Sequence, residues 1–256
     1  MPNRYAILAV EGAHDQVFVA ELLVRHGFTK FDGTQSNLDG FWTHFTPAWP
    51  KNGRLYSRPD MPTIVHRNGI SILICTGEGT SLLTKFPDTF ANRPQYKTNI
   101  AAFGIVVDAD TKACPEVAKS YADAYRTHFN SFPDLPGVID KTGIHTGIFV
   151  LPDNHSTGTL EDILLECGAV GYPDLTAKAR SFVSAIDRSA LTADDKKGLL
   201  KFAGENKALV ASISGVLKPG MVLEHSIRND RWLEAGSLAL PRVDALTKFL
   251  RELIAF

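Results

Sequence analysis

Two aspartates spaced i, i+2 follow directly on an apolar, β-branched run, Gly104-Ile105-Val106-Val107-Asp108-Ala109-Asp110-Thr111. A short apolar run bounded by turn signals reads as a buried strand, and burial on both faces as a strand of a parallel sheet. Side chains at i and i+2 of an extended chain point the same way. Asp108 and Asp110 are therefore expected to converge beyond the strand's carboxyl end, where open α/β sheets place their ligands. Carboxylates that close repel unless a cation sits between them, and hard oxygen donors suit Mg²⁺ or Mn²⁺. A lone Asp-x-Asp is more simply an Asp-rich turn or a helix cap. This one has company.

The apolar run 5–10 ends in Glu11-Gly12-Ala13-His14-Asp15, after which Val17, Phe18, Leu22 and Leu23 recur at helical spacing. Gly27 closes that helix. Glu11 thus stands at a strand's carboxyl end, as Asp108 does. Asp15, one turn on, faces the same opening or serves as a first-turn acid favouring the helix dipole. Residues 70–75 form a second core strand leading into Thr76-Gly77-Glu78-Gly79 and an amphipathic helix through Leu82, Leu83 and Phe86. Glu78 reads equally as a site acid and as a helix-start residue. Beyond Thr111 the pattern predicts a helix over 114–129 with Pro115 in its first turn. A Pro- and Gly-rich loop over 132–143 follows, then a fourth strand over 144–150. That strand exits through 151–159 into another helix, with Glu161 and Asp162 in its first turn.

The elements that position these acids alternate strand and helix, which predicts an α/β fold with a central, mostly parallel sheet and right-handed crossovers. Residues 1–170 form the core. Within it, 31–62 is an irregular insertion holding a short strand or hairpin at most. Its aromatics (Phe41, Trp42, Phe45, Trp49, Tyr56) interleave with His44, Lys51, Arg54 and Arg58. Such a set can stack on unpaired bases; packing onto the body is the simpler role. Residues 171–256 are a helical extension packed on the core. One helix spans 175–186. A second starts at the N-cap Thr192 and carries Lys196, Lys197, Lys201 and Lys207. The last begins after Pro241 and shows Val243, Leu246, Phe249, Leu250 and Leu253.

A net charge of −1 and a pI near 6.7 give no overall basic field. Nucleic-acid contact then needs a local patch or a partner subunit. Cys75, Cys114 and Cys167 have no zinc spacing and suggest no disulfide framework. With no signal peptide and no membrane-length apolar stretch, the expected location is the cytoplasm.

Val10-Glu11-Gly12-x-x-Asp15 together with Gly104 to Asp110 resembles the TOPRIM fold of topoisomerases, bacterial primases, RNA-maturation nucleases and OLD-family nucleases. More narrowly, Leu151-Pro152-Asp153-Asn154-x-x-x-Gly158-x-Leu160-Glu161-Asp162 is similar to the uncharacterised TOPRIM-like group DUF3226. The resemblance covers nearly the whole chain and implies a TOPRIM-like (Rossmann-like) core. It places the family's invariant acid on Glu11 and its Asp-x-Asp on Asp108 and Asp110. The OLD pattern implies a further acid at Asp15, a hydroxyl–glutamate pair at Thr159 and Glu161, and a phosphate-facing base at Lys207. Asp153 has no counterpart. Unlike OLD proteins, the chain lacks a Gly-rich phosphate loop and so carries no ATPase of its own. A separate ATPase subunit, as in antiviral defence systems, or a homodimer is the implied partner.

The chemistry implied is phosphodiester cleavage assisted by two Mg²⁺ or Mn²⁺ ions about 3.5–4 Å apart. Asp108, Asp110 and Glu161 suit one ion, Glu11 and Asp15 the other. Glu11 is the expected proton acceptor, and Lys207 the cation opposing charge on the phosphate. His14, His145 and His155 are expected to be ordinary polar neighbours. Nucleotidyl transfer and a non-cutting regulatory module remain as alternatives. A flavodoxin-like nucleotide binder is disfavoured, because phosphate cradles need helix N-termini free of negative charge.

Overall fold

Predominantly apolar runs, buried on both faces, become the four parallel strands at the centre of the sheet. The computed structural model describes residues 4–43, 45–46, 61–77, 81–92, 96, 99–129 and 131–256. Its strands are β1 (Arg4–Val10), β2 (Thr29–Lys30), β3 (Thr63–Arg67), β4 (Ile70–Thr76), β5 (Ile100–Asp108), β6 (Ile139–Asp140) and β7 (His145–Leu151). The helices are α1 (Ala13–Arg25), α2 (Ser81–Asn92), α3 (Cys114–Tyr125), α4 (Leu160–Gly171), α5 (Pro173–Ser184) and α6 (Ala193–Lys197). They continue with α7 (Gly204–Leu217), α8 (Leu223–Asn229), α9 (Ala235–Leu238) and α10 (Pro241–Ile254). Among the described residues the sheet order is β2-β3-β4-β1-β5-β7-β6. The centre β4-β1-β5-β7 is parallel, and β2, β3 and β6 add antiparallel edges.

Alternate side chains of one strand serve opposite layers. Ala6, Leu8 and Val10 of β1 join Val106, α1, α4 and the C-terminal helices in one core. Ile7 and Ala9 join Phe103, Ile105 and Val107 of β5 with α3 and the insertion in the other. Gly104 makes room for α10: a Cβ there would lie 2.3 Å from Leu253. Helices after Gly171 thus share a core with the sheet rather than building their own.

Two readings of the sequence need correction, and the described part of the insertion sharpens a third. The described part of 31–62 contains two 3₁₀ turns, Gln35–Asn37 and Gly40–Trp42, and no strand. A hairpin follows the insertion: Asn68 and Gly69, with φ of 47° and 76°, join β3 to β4, the left-handed pair that a two-residue hairpin turn requires. Phe41, Trp42 and Phe45 pack. Trp42 is fully buried and donates to Ser71 Oγ at 2.8 Å, and Phe41 stacks on Tyr5 at 3.8 Å. Trp49, Tyr56, His44, Lys51, Arg54, Arg58 and Glu78 lie outside the described residues. The loop 132–143 includes the two-residue strand β6. Finally, Lys196 and Lys207 are not on one helix. Thr192 caps α6 by accepting from Asp195 N–H, but α6 stops at Lys197. A new helix starts after Ala203, whose φ of 58° breaks the helical path.

Candidate active site

Adjacent strands β1 and β5 end side by side, and the chain leaves each through a polar residue. Glu11 follows β1 and Asp108 closes β5. The Asp108 N–H points to Glu11 Oε2 at 3.4 Å. From the next strand, β7, the chain runs through a connection bridged to Asp110 at Gly158 and into α4. The Leu160 N–H, an orphan donor of that helix's first turn, donates to Asp108 Oδ1 at 2.9 Å. Sequence placed these acids together, and the structure brings Glu11, Asp15, Asp108 and Glu161 around one pocket of about 280 Å³ with Gly12, Ala13, His14, Leu160 and Lys207.

Gly12 and Thr159 are the N-caps of α1 and α4. Each backbone N–H donates to the aspartate three residues on, Asp15 Oδ2 and Asp162 Oδ2, both at 2.8 Å. Only this half of the capping box forms. Thr159 Oγ1 is buried and has no hydrogen-bond partner among the described residues. Gly12 adopts φ −139°, an extended conformation open to any residue. Its lack of a side chain matters for space, since a Cβ would stand 3.3 Å from Asp15 Oδ2.

Burial and mutual repulsion raise the proton affinity of Asp108, Asp15 and Glu11. Desolvation, then the charges of Asp15, Glu11 and Glu161, pushes Asp108 up to about 9. Asp15 rises to about 7, chiefly by burial and then by Glu11 and Glu161, against the opposing Gly12 hydrogen bond. Glu11 is raised by burial, with Asp110 adding and Lys207 opposing. Tyr121 of α3, beneath these acids, is raised by burial and by Glu11, Asp108 and Asp110. No pattern in the sequence marked it.

Asp110 departs from expectation. Its φ is 50°, so the chain has left the extended form on which convergence at i, i+2 depended. Asp110 N–H donates to Gly158 O at 2.9 Å and Gly158 N–H to Asp110 O at 3.0 Å. Its side chain is exposed and does not line the pocket, although its charge reaches Glu11. Asp153 is structural: it accepts from His155 and Ser156 N–H and pairs with Arg242 at 3.1 Å. Of the three histidines near the turns, only His14 lines the pocket, its Nε2 3.7 Å from Glu224.

The donors fit a hard divalent ion in kind: four carboxylates, and in Thr159 Oγ1 a buried oxygen without a partner among the described residues. As placed, no three His, Cys, Asp or Glu side chains among the described residues gather closely enough to hold one. Asp15 Oδ2 and Asp108 Oδ1 face backbone N–H groups instead. Among the described residues no helix is long and apolar enough to cross a membrane.

A search among curated proteins finds no match. Among solved structures, a hypothetical protein, PH0156 from Pyrococcus horikoshii OT3, has a similar fold. Its TM-score is 0.50 at 17% identity, covering 98% of this chain and 95% of that one. The model of a protein family of unknown function, DUF3226, matches residues 5–255, and the chain belongs to that family.

Proposed function

We propose that the chain is a TOPRIM-type nuclease that cleaves phosphodiester bonds of DNA or RNA with Mg²⁺ or Mn²⁺. One observation carries this reading: four carboxylates and a lysine surround one open pocket at the carboxyl ends of adjacent parallel strands. Acids so placed hold either protons or a cation. Asp108, Glu161, Glu11 and Asp15 would hold the metal, with Thr159 Oγ1 as a neutral donor. Bound there, the ion supplies the Lewis acidity that phosphodiester cleavage needs. Glu11, with its raised affinity for a proton, accepts one from the attacking water. Lys207 opposes the charge on the phosphate. Asp110 contributes through its charge at the edge of the site. The near-neutral chain reaches its substrate with a second copy or an ATPase subunit.

A non-cutting, partner-binding role is favoured by one feature, the engagement of Asp15 and Asp108 with backbone N–H groups. Incubating the protein with plasmid, single-stranded DNA and RNA in Mn²⁺, Mg²⁺ or EDTA separates the two. Cleavage is expected with either ion and is lost with EDTA or Asp108→Ala. Mn²⁺ is also expected to raise Tm in wild type and not in Asp108→Ala. No cleavage under any condition, with equal Tm shifts in both proteins, would overturn the nuclease reading.

A further inference from the structure

The last third of the chain meets the carboxylate pocket at the first turn of α7. Lys207, on that turn, is the one lysine or arginine among the described residues that line the pocket. Its side chain is exposed and forms no ion pair with a described residue. A lysine is a point charge on a flexible four-carbon stem, so its reach depends on where its backbone is held. The residue before it does the holding. Asn206 Nδ2 donates to Asp162 Oδ1 at 2.9 Å, and the other oxygen of Asp162 accepts from the Thr159 N–H at 2.8 Å. Two hydrogen bonds thus lead from the base of the lysine to the N-cap of α4, whose next residues, Leu160 and Glu161, line the pocket.

The turn itself is built for that contact. Lys207 N–H closes on Ala203 O at 2.9 Å, and Ala203 holds a left-handed φ of 58°. Gly204 packs so tightly that a Cβ would lie 2.3 Å from Gly198 O. A left-handed alanine persists only where its surroundings over-determine it. Here the tight packing at Gly204 and the Asn206 contact follow it on the same turn.

We propose that Asn206 and Asp162 are positioning residues, whose bond sets Lys207 over the carboxylate pocket to face a phosphate of the substrate. The kinetic part of this inference rests on the nuclease reading; the phosphate contact does not. Asn206→Asp sets two carboxylates against each other and breaks the link. Adding Asp162→Asn restores it with the polarity reversed. The amide then at position 162 can donate to the carboxylate at position 206, while its carbonyl still accepts from the Thr159 N–H. Binding of a short fluorescein-labelled single-stranded DNA, measured without divalent ions over a salt series, reads the contact directly. Lys207→Ala is expected to lower the log–log salt slope by about one. Asn206→Asp should lower it equally although the lysine is intact, and Asn206→Asp/Asp162→Asn should return it to wild type. In Mn²⁺ the single variant should cut about 10²-fold more slowly, as displaced catalytic groups do, and the double variant should recover. A purely structural bond would change Tm and leave the salt slope alone; that result, or a double variant no better than the single one, overturns the proposal. Wild type that shows this binding pattern and cuts nothing would retain the positioning role and remove the nuclease.

Discussion

Two helix starts flank the pocket, and locally they are the same device. At Gly12–Asp15 and at Thr159–Asp162 the N-cap N–H donates at 2.8 Å to an aspartate in the first turn. Their surroundings set them apart. Asp15 is buried among Glu11, Asp108 and Glu161, and its affinity for a proton is raised to about 7. Asp162 does not line the pocket and receives a second donor, Asn206, at 2.9 Å. One capping aspartate is thereby drawn into the charge of the site, and the other is drawn into scaffolding. An acid in a helix's first turn acquires its role from the neighbours that tertiary structure supplies, not from its place in the turn.

The sharpest break in the comparison comes from the corner given to chemistry. Glu11→Gln keeps shape and removes charge and basicity. Under the nuclease reading, cleavage should fall about 10²–10⁴-fold while Tm holds or rises. Loss of activity accompanied by unfolding would assign Glu11 to structure instead.

The scaffolding corner should be the more sensitive to a single methyl group. Gly158, just before Thr159, has φ 146°, and a Cβ there would lie 2.6 Å from Asp162 Oδ2 and 3.1 Å from Pro152. Gly158→Ala forces both strain and a clash, at a cost of roughly 1–3 kcal/mol. Thermal unfolding should show a drop of several degrees, at about 2–4 °C per kcal/mol for a chain of this size. An unchanged Tm would mean that the loop yields freely and that the bridge to Asp110 is soft.

Much of this is legible in the sequence, for reasons that differ by residue. β1 and β5 are apolar almost throughout, so the acids at their ends, Glu11 and Asp108, are assigned by sequence to one end of the sheet. The edge strands β2 and β6 have two residues each, too few for a period to show. The Asn68-Gly69 turn carried a readable hairpin signal that the surrounding irregular composition obscured. The i, i+2 spacing misplaces Asp110 because it assumes an extended chain, and an aspartate tolerates the left-handed form that replaces it. Asn206 was out of reach: its partner is 44 residues away in sequence, and no local pattern encodes such a pair.

Charge separates the two capping aspartates at smaller cost. An acid whose folded-state pKa is raised stabilises the fold fully below its unfolded pKa, near 3.8 for Asp15 and Asp108. That contribution is lost as pH climbs through about 7 and about 9. Without divalent ions, Tm should therefore fall between pH 5 and pH 9. Asp15→Asn keeps a carbonyl for the Gly12 N–H and removes a charge, so its gain in Tm over wild type should grow with pH. Asp162→Asn should lie within about 1 kcal/mol of wild type at every pH, because the Asn206 amide can turn to accept. Parallel pH profiles for both variants would remove the distinction between the corners.

The smallest expected effect is Gly12→Ala, and it tests what the glycine is for. The φ of −139° admits alanine without backbone strain, unlike Gly158. The added methyl would stand 3.3 Å from Asp15 Oδ2, so the carboxylate must shift by a few tenths of an ångström. A helix N-cap changed from glycine to alanine loses only a few tenths of a kcal/mol to about 1. Stability measured by denaturant should therefore barely move. The displaced carboxylate is nonetheless one of the four around the pocket, so the Mn²⁺-induced rise in Tm should shrink relative to wild type. Low cost with a weakened metal response would mean that Gly12 is required by the packing of Asp15. A large loss of stability with an intact metal response would mean that the turn itself requires glycine, and the two corners would then be alike.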